Sequence, residues 1–131
     1  MGDPAKQLRE AVRGIEEHEA ISVAAQSPII TTKASGKTDQ PDFANMAIAV
    51  ETSLKPLELL EAVLAIELDM GRVRQERWGP RLIDIDLIAY EQMRMETPRL
   101  TLPHPHAHER DFVLQPLRTI APEVADWLAD C

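Results

Sequence analysis

The sequence predicts a single α+β domain, and three observations lead there. Apolar residues recur at helical spacing in two separate stretches, at Leu8, Val12 and Ile15 and again from Leu57 to Leu68. Other stretches alternate apolar and polar residues with the period of two that half-buried strands require. These two patterns are interleaved along the chain, with no internal repeat, so helices must pack on a sheet within one core. The 131 residues, 44% hydrophobic and 27% charged, suffice for one buried core with an ordinary globular balance.

The elements follow in order. Asp3 and Pro4 make an N-cap and first helical residue ahead of the Leu8, Val12, Ile15 stripe. Ile21, Val23 and Ala25 alternate in a strand running towards Ile30. The polar stretch Thr31 to Asp42 reads as a loop. From Phe43 to Glu51 a second strand puts Ala44, Met46, Ile48 and Val50 on one face, leaving Phe43 and Asn45 on the other. Ser53 or Lys55 opens the next helix, with Pro56 in its first turn. Leu57, Leu60, Leu64 and Leu68 are its expected buried face, and Gly71 its C′ residue. A basic loop from Arg72 to Arg81 leads into an aliphatic strand from Leu82 to Tyr90. A short helix is expected around Phe112 to Ile120. The order α-β-β-α-β is that of a ferredoxin-like βαββαβ sandwich without its first strand: an antiparallel or mixed sheet with helices packed on it.

Composition removes several function classes. A formal net charge of −8 argues against a broad nucleic-acid surface, although local arginines can still receive a nucleotide in one cleft. No apolar run is long enough to span a bilayer, and no signal-peptide pattern opens the sequence. Cys131 is the single cysteine, so no internal disulfide forms, and a reducing cytoplasm is the expected setting.

Three constellations carry chemistry. In Arg81-Leu82-Ile83-Asp84-Ile85-Asp86-Leu87, strand alternation sends Asp84 and Asp86 to one face and Ile83, Ile85 and Leu87 into the core. Paired carboxylates suit Mg²⁺, which takes one or two protein oxygens and completes its shell with water and substrate phosphates. A solvated acidic strand face is the alternative reading of the same two acids. The acids follow Arg72, Arg74, Arg77 and Arg81 and precede Arg99 and Arg110, whose guanidinium forks match phosphate oxygens. Arginines that merely neutralise local acid are the alternative here. Trp78, in a Gly/Pro loop, either covers a ligand or plugs an apolar gap.

The second constellation is Phe43 with Asn45, an aromatic and an amide on one strand face. They can stack a planar heterocycle and pair with its edge, or Phe43 can pack under a helix. The third is His104-Pro105-His106-Ala107-His108. Alternating histidines need not converge, and neither Cys nor Glu completes a zinc pattern. His104 alone is therefore read as functional, donating to phosphate without binding metal.

Together these residues resemble the hydroxymethyldihydropterin pyrophosphokinases. The likeness rests on Asp39-Gln40-Pro41-Asp42-Phe43-Ala44-Asn45, on Glu67 to Arg74, and on Arg77-Trp78-Gly79-Pro80-Arg81-Leu82-Ile83-Asp84-Ile85-Asp86. Leu100 to His104 and Arg110 to Leu114 continue it, in order, over about Asp3 to Glu123. The resemblance implies an ATP-dependent pyrophosphokinase of folate synthesis, with ATP as co-substrate and Asp84 and Asp86 holding two Mg²⁺ ions. It implies catalytic roles for Arg72, Arg81, Asp86 and His104. Thr32, Phe43, Asn45, Trp78, Arg110 and Phe112 would receive the pterin, and Glu67, Arg74, Leu87, Arg99, Thr101 and His104 would line the ATP site. It also implies small-molecule partners only, neither nucleic acid nor membrane, and a monomer or weak homodimer.

Residues 1–131 would form one such domain, shortened at the N-terminus relative to the family. The usual opening strand is absent, and its place lies between the Phe43–Val50 strand and that of Asp84 and Asp86. The runner-up is a truncated or degenerate domain that binds these ligands without efficient catalysis.

Overall fold

The computed structural model describes residues 4–32, 43–74 and 85–130. The first helix, α1 (Pro4–Glu16), buries Ala11, Val12 and Ile15 and half-buries Leu8, which is the predicted stripe. Asp3, its expected cap, lies outside the described residues. Gly14 sets how closely the next long helix approaches. A Cβ there would meet Ile66 Cγ2 at 3.1 Å, tighter than ordinary side-chain contact.

Four short strands follow: β1 (Ile21–Gln26), β2 (Ile30–Thr32), β3 (Phe43–Asn45) and β4 (Ile48–Thr52). The first two strands expected from the sequence are thus each broken in two. β1 pairs antiparallel with β4, from Ile21 opposite Thr52 to Gln26 opposite Ile48, with a register shift between Val23 and Ala25. β2 pairs antiparallel with β3, Ile30 opposite Asn45 and Thr32 opposite Phe43.

The break has a chemical cause. Pro28 has no N–H to continue a ladder, and buried Ser27 replaces it with a clamp. The Ser27 N–H donates to Ala47 O at 2.8 Å, while Ala47 N–H donates to Ser27 Oγ at 2.9 Å. The hydroxyl in turn donates to Pro28 O at 2.9 Å. Ser27→Ala strands the Ala47 amide and is expected to cost about 1–3 kcal/mol of stability, read from urea denaturation; a loss below a few tenths would contradict the clamp.

The second long helix, α2 (Pro56–Arg74), starts where Lys55 N–H donates to Glu58 Oε1 at 2.8 Å, half of a capping box. Two expectations are corrected here. Gly71 does not end the helix, which continues through Arg74. The buried face is Leu59 and Val63, with Ala62 and Ile66 packed behind them, whereas Leu64 and Leu68 are 44% and 57% exposed. The helix is apolar on both stripes, so its own periodicity does not choose between them. Contact with α1 at Gly14 does.

Ile85 to Tyr90, expected to be strand, joins no ladder among the described residues. Its side chains nevertheless alternate as predicted. Ile85 and Leu87 pack with Ile15, Ile21 and Leu59 in the core under α1 and α2, while Asp86 is exposed. Ile88 instead joins a second core of Ala107, Leu117, Ala125 and Leu128. That core is built by a 3₁₀ turn (Ala107–Glu109) and two helices, α3 (Asp111–Ile120) and α4 (Pro122–Ala129). The expected helix at Phe112 to Ile120 is α3; α4 was not anticipated. A last ladder pairs β5 (Met95–Glu96) with β6 (Thr101–Leu102).

The class is therefore α+β: among the described residues, four helices with small antiparallel ladders. Between β4 and residues 85–91 runs a cavity of about 580 Å³, lined also by Leu8, Val12, Leu59 and Val63 on one side and Val113 and Leu117 on the other. Along 85–91 the amides of Asp86, Leu87, Ile88 and Ala89 meet no backbone acceptor among the described residues.

Candidate active site

Asn45, Asp86 and Phe112 line this same cavity. Three different elements deliver them: the end of β3, the segment after Ile85, and the first turn of α3. Asn45 follows from the β2–β3 register, which also sets Thr32 opposite Phe43 on the same short ladder. Asp86 follows from the alternation that buries its two neighbours. Phe112 is a large aromatic left 48% exposed, and the Arg110 guanidinium carbon stands 5.6 Å from its ring centroid. In a chain with only two phenylalanines, an exposed ring at a cavity wall is available to a planar ligand.

His104 stands beside this group. Its N–H donates to Ile88 O at 2.8 Å, tying the β6 turn to the Asp86 segment. Burial holds the imidazole pKa below its ordinary 6.5; the Asp86 carboxylate opposes that shift, and Arg110 and His106 reinforce it. The ring is therefore neutral at pH 7. His106 N–H approaches Nδ1 at 3.2 Å, so Nδ1 accepts and Nε2 carries the proton. A neutral Nε2–H donor suits a phosphate oxygen. The other two histidines of the run turn elsewhere: His106 Nδ1 pairs with Glu109 at 3.1 Å and His108 Nε2 lies 3.9 Å from it, all exposed.

These neighbours make a titration prediction. His104 followed by NMR should titrate below 6.5, lower still in Asp86→Asn and higher in Arg110→Ala. The sign for stability follows from the depressed value: the folded chain binds fewer protons than the unfolded one below 6.5. This share of stability is complete above that pH and is lost as pH falls through the folded midpoint. Titration at or above 6.5 in the unliganded protein would contradict the placement.

The other predicted residues distribute as follows. Thr101 and His104 line a second cavity of about 420 Å³ with Arg94 and His108. Leu87 faces the first cavity from within the α1–α2 core. Glu67 accepts the Ile85 N–H on Oε2 at 2.5 Å. Arg99 is on the surface, paired with Glu61 of α2 at 3.2 Å with both side chains more than half exposed, a contact worth little. Arg72 and Arg74 belong to the last turn of α2. Trp78, Arg81 and Asp84 lie outside the described residues, as do Arg77 and most of the expected basic loop. Among the described residues no three His, Cys, Asp or Glu groups form a metal cage.

One residue was missed. The Tyr90 hydroxyl donates to Leu54 O at 2.6 Å, pinning the end of the Asp86 segment to the start of α2. Its signal was available: it is the only tyrosine, and it closes an aliphatic run.

An exposed carboxylate and an aromatic beside arginine on one cavity, with a neutral imidazole on a residue bonded to the carboxylate's segment, equip a protein to handle small planar and anionic ligands. Comparison with known proteins gives the family. The model of 7,8-dihydro-6-hydroxymethylpterin-pyrophosphokinase matches residues 1–122, and the chain belongs to that family. Similar proteins named 2-amino-4-hydroxy-6-hydroxymethyldihydropteridine pyrophosphokinase include that of Bacillus subtilis, 44% identical over 95% of this chain and 74% of its own. That of Methylorubrum extorquens is 48% identical over 95% and 78%, and that of Pseudomonas aeruginosa 40% over 95% and 76%.

Proposed function

We propose that the chain transfers the pyrophosphoryl group of ATP to the carbinol oxygen of 6-hydroxymethyl-7,8-dihydropterin, releasing AMP, as a step of folate synthesis. Family membership over residues 1–122 carries the proposal, and the meeting of Asn45, Asp86 and Phe112 on one cavity supports it.

In this reading Phe112 and Phe43 stack the pterin, and Asn45 and Thr32 pair with its edge. Trp78 closes over the site and Arg110 reaches the reacting end. Glu67, Arg74, Leu87, Arg99 and Thr101 attend the nucleotide, with Arg72 and Arg81 offsetting charge on the transferred group. The carbinol oxygen attacks the β-phosphorus and releases its proton to water, the bond from that phosphorus to the α–β bridging oxygen breaks, and AMP leaves with that oxygen. His104 donates Nε2–H to a phosphate oxygen. Positioning and electrostatics supply the rate, without a covalent enzyme intermediate.

The residues fit Mg²⁺. An exposed Asp86 with Asp84 two positions earlier is the sparse donor set of an ion shared with substrate phosphates, and two ions are the expected number. The ions would screen the phosphate charges; Asp84 and Asp86 would hold them, and Asp86 would stand near the attacking hydroxyl. The domain works as a monomer or weak homodimer in the cytoplasm. No helix among the described residues is long and apolar enough to cross a membrane.

A second reading, ligand binding without efficient turnover, is favoured by the cavity beside β4, since it adjoins the site it would have to brace. Incubation with Mg-ATP and the pterin alcohol separates the two. AMP in equal amount with pterin diphosphate is expected; ADP indicates another kinase activity, and ligand binding without turnover selects the second reading.

A further inference from the structure

The β5–β6 ladder carries polar side chains apart from the cavity of Asn45, Asp86 and Phe112. Its register sets Met95 opposite Leu102 and Glu96 opposite Thr101. Leu102 is 2% exposed, so that pair faces the core. Alternation then sends Glu96, Thr101 and Arg94, two residues before Glu96, to the other face. These three line the second cavity, of about 420 Å³, together with His104 and His108. Small-molecule sites have volumes of roughly 300–1,000 Å³, so the space suits part of a nucleotide.

We propose that Arg94 is a further nucleotide-binding residue, its guanidinium donating to the α-phosphate of ATP while the ribose lies beside Glu96. This rests on the pyrophosphokinase reading and adds to it which end of ATP the second cavity takes.

Three observations support the assignment. The Arg94 guanidinium carbon stands 5.5 Å from the ring centroid of Trp127 on α4, a cation–π contact that narrows where this exposed side chain points. A guanidinium has five N–H donors, so one stacked on a ring can still fork to phosphate. The cavity also adjoins the Asp86 segment through His104, whose N–H donates to Ile88 O at 2.8 Å and whose imidazole feels the Asp86 carboxylate. Finally, the donor set is mixed. Arg94 and Thr101 can donate to phosphate, whereas the Glu96 carboxylate only accepts and suits a ribose hydroxyl. That combination fits a nucleotide better than a bare polyphosphate. Because AMP leaves with the α-phosphate, the contact anchors the part of ATP that is not transferred.

Calorimetric titration of the whole chain with Mg-ATP, without the pterin, tests this independently of turnover. Arg94→Ala should weaken ATP binding about tenfold. Arg94→Lys should recover only part of the loss, since a point charge replaces a fork. Glu96→Ala should weaken ATP several-fold but not inorganic triphosphate. In turnover assays, Arg94→Ala should raise the KM for ATP about tenfold and leave that for the pterin unchanged. Unchanged ATP affinity in Arg94→Ala overturns the proposal, as does a parent chain that does not bind ATP. An equal loss of pterin affinity also overturns it, because that would mark a general loosening of the fold. Arg94-dependent ATP binding in a chain that forms no pterin diphosphate would remove the transfer reading and keep the Arg94 contact.

Discussion

Asp86→Ala should lower turnover by roughly 10³-fold or more and leave the melting temperature almost unchanged. The carboxylate is exposed, and its neighbours Ile85 and Leu87 hold the core contacts, so truncation removes the proposed metal ligand without removing core volume. Exposed substitutions of this kind usually stay within about 0.5 kcal/mol of the parent stability. Metal-borne charge stabilisation is worth several kcal/mol, and each ~1.4 kcal/mol of barrier is tenfold in rate. Steady-state kinetics beside a thermal melt checks both halves. Retained turnover would remove Asp86 from the mechanism, and a collapsed fold would make it a structural residue.

Adding an apolar strand-forming segment to residues 1–131 should raise both the stability and the turnover of that 131-residue chain. The cavity beside β4 is about 580 Å³ and walled by aliphatic side chains of α1, α2 and α3. Two inter-strand spacings, roughly 9–10 Å, is the room one further strand needs. Burying about three aliphatic side chains gives roughly 5 kcal/mol, and pairing free amides adds to it. Ordering the added backbone takes back much of that gain. A net of about 2–3 kcal/mol corresponds to a rise of roughly 10 °C in a domain of this size. Turnover should rise with it, because β4 and the Asp86 segment would then be braced from both sides. An added strand that leaves melting temperature and rate unchanged, or a 131-residue chain that already matches its relatives in both, would contradict this account.

Much of this architecture was legible because single residues decide it. Leu8, Val12 and Ile15 allow one helical face, and Ile85, Asp86 and Leu87 allow one alternation. What failed did so for physical reasons. α2 carries leucines on both stripes, so its partner, not its sequence, chose Leu59 and Val63 over Leu64 and Leu68. The breaks at Ser27 and Ala47 come from a long-range clamp that no local pattern reveals. Ile85 to Tyr90 has a strand's side chains without a strand's ladder among the described residues, because pairing depends on a neighbour. In the site, Asn45, Asp86 and Phe112 line one cavity, and their roles there rest on the family resemblance. The tautomer of His104 and the anchoring by Tyr90 depend on contacts distant in the chain.

Transfer to a pterin alcohol whose carbinol oxygen carries ¹⁸O tests the central claim most directly. Attack at the β-phosphorus keeps the label in the bridge between pterin and diphosphate, read as an isotope shift in the ³¹P spectrum, and leaves AMP unlabelled. Label appearing in AMP, or pterin diphosphate formed without label, would contradict direct pyrophosphoryl transfer.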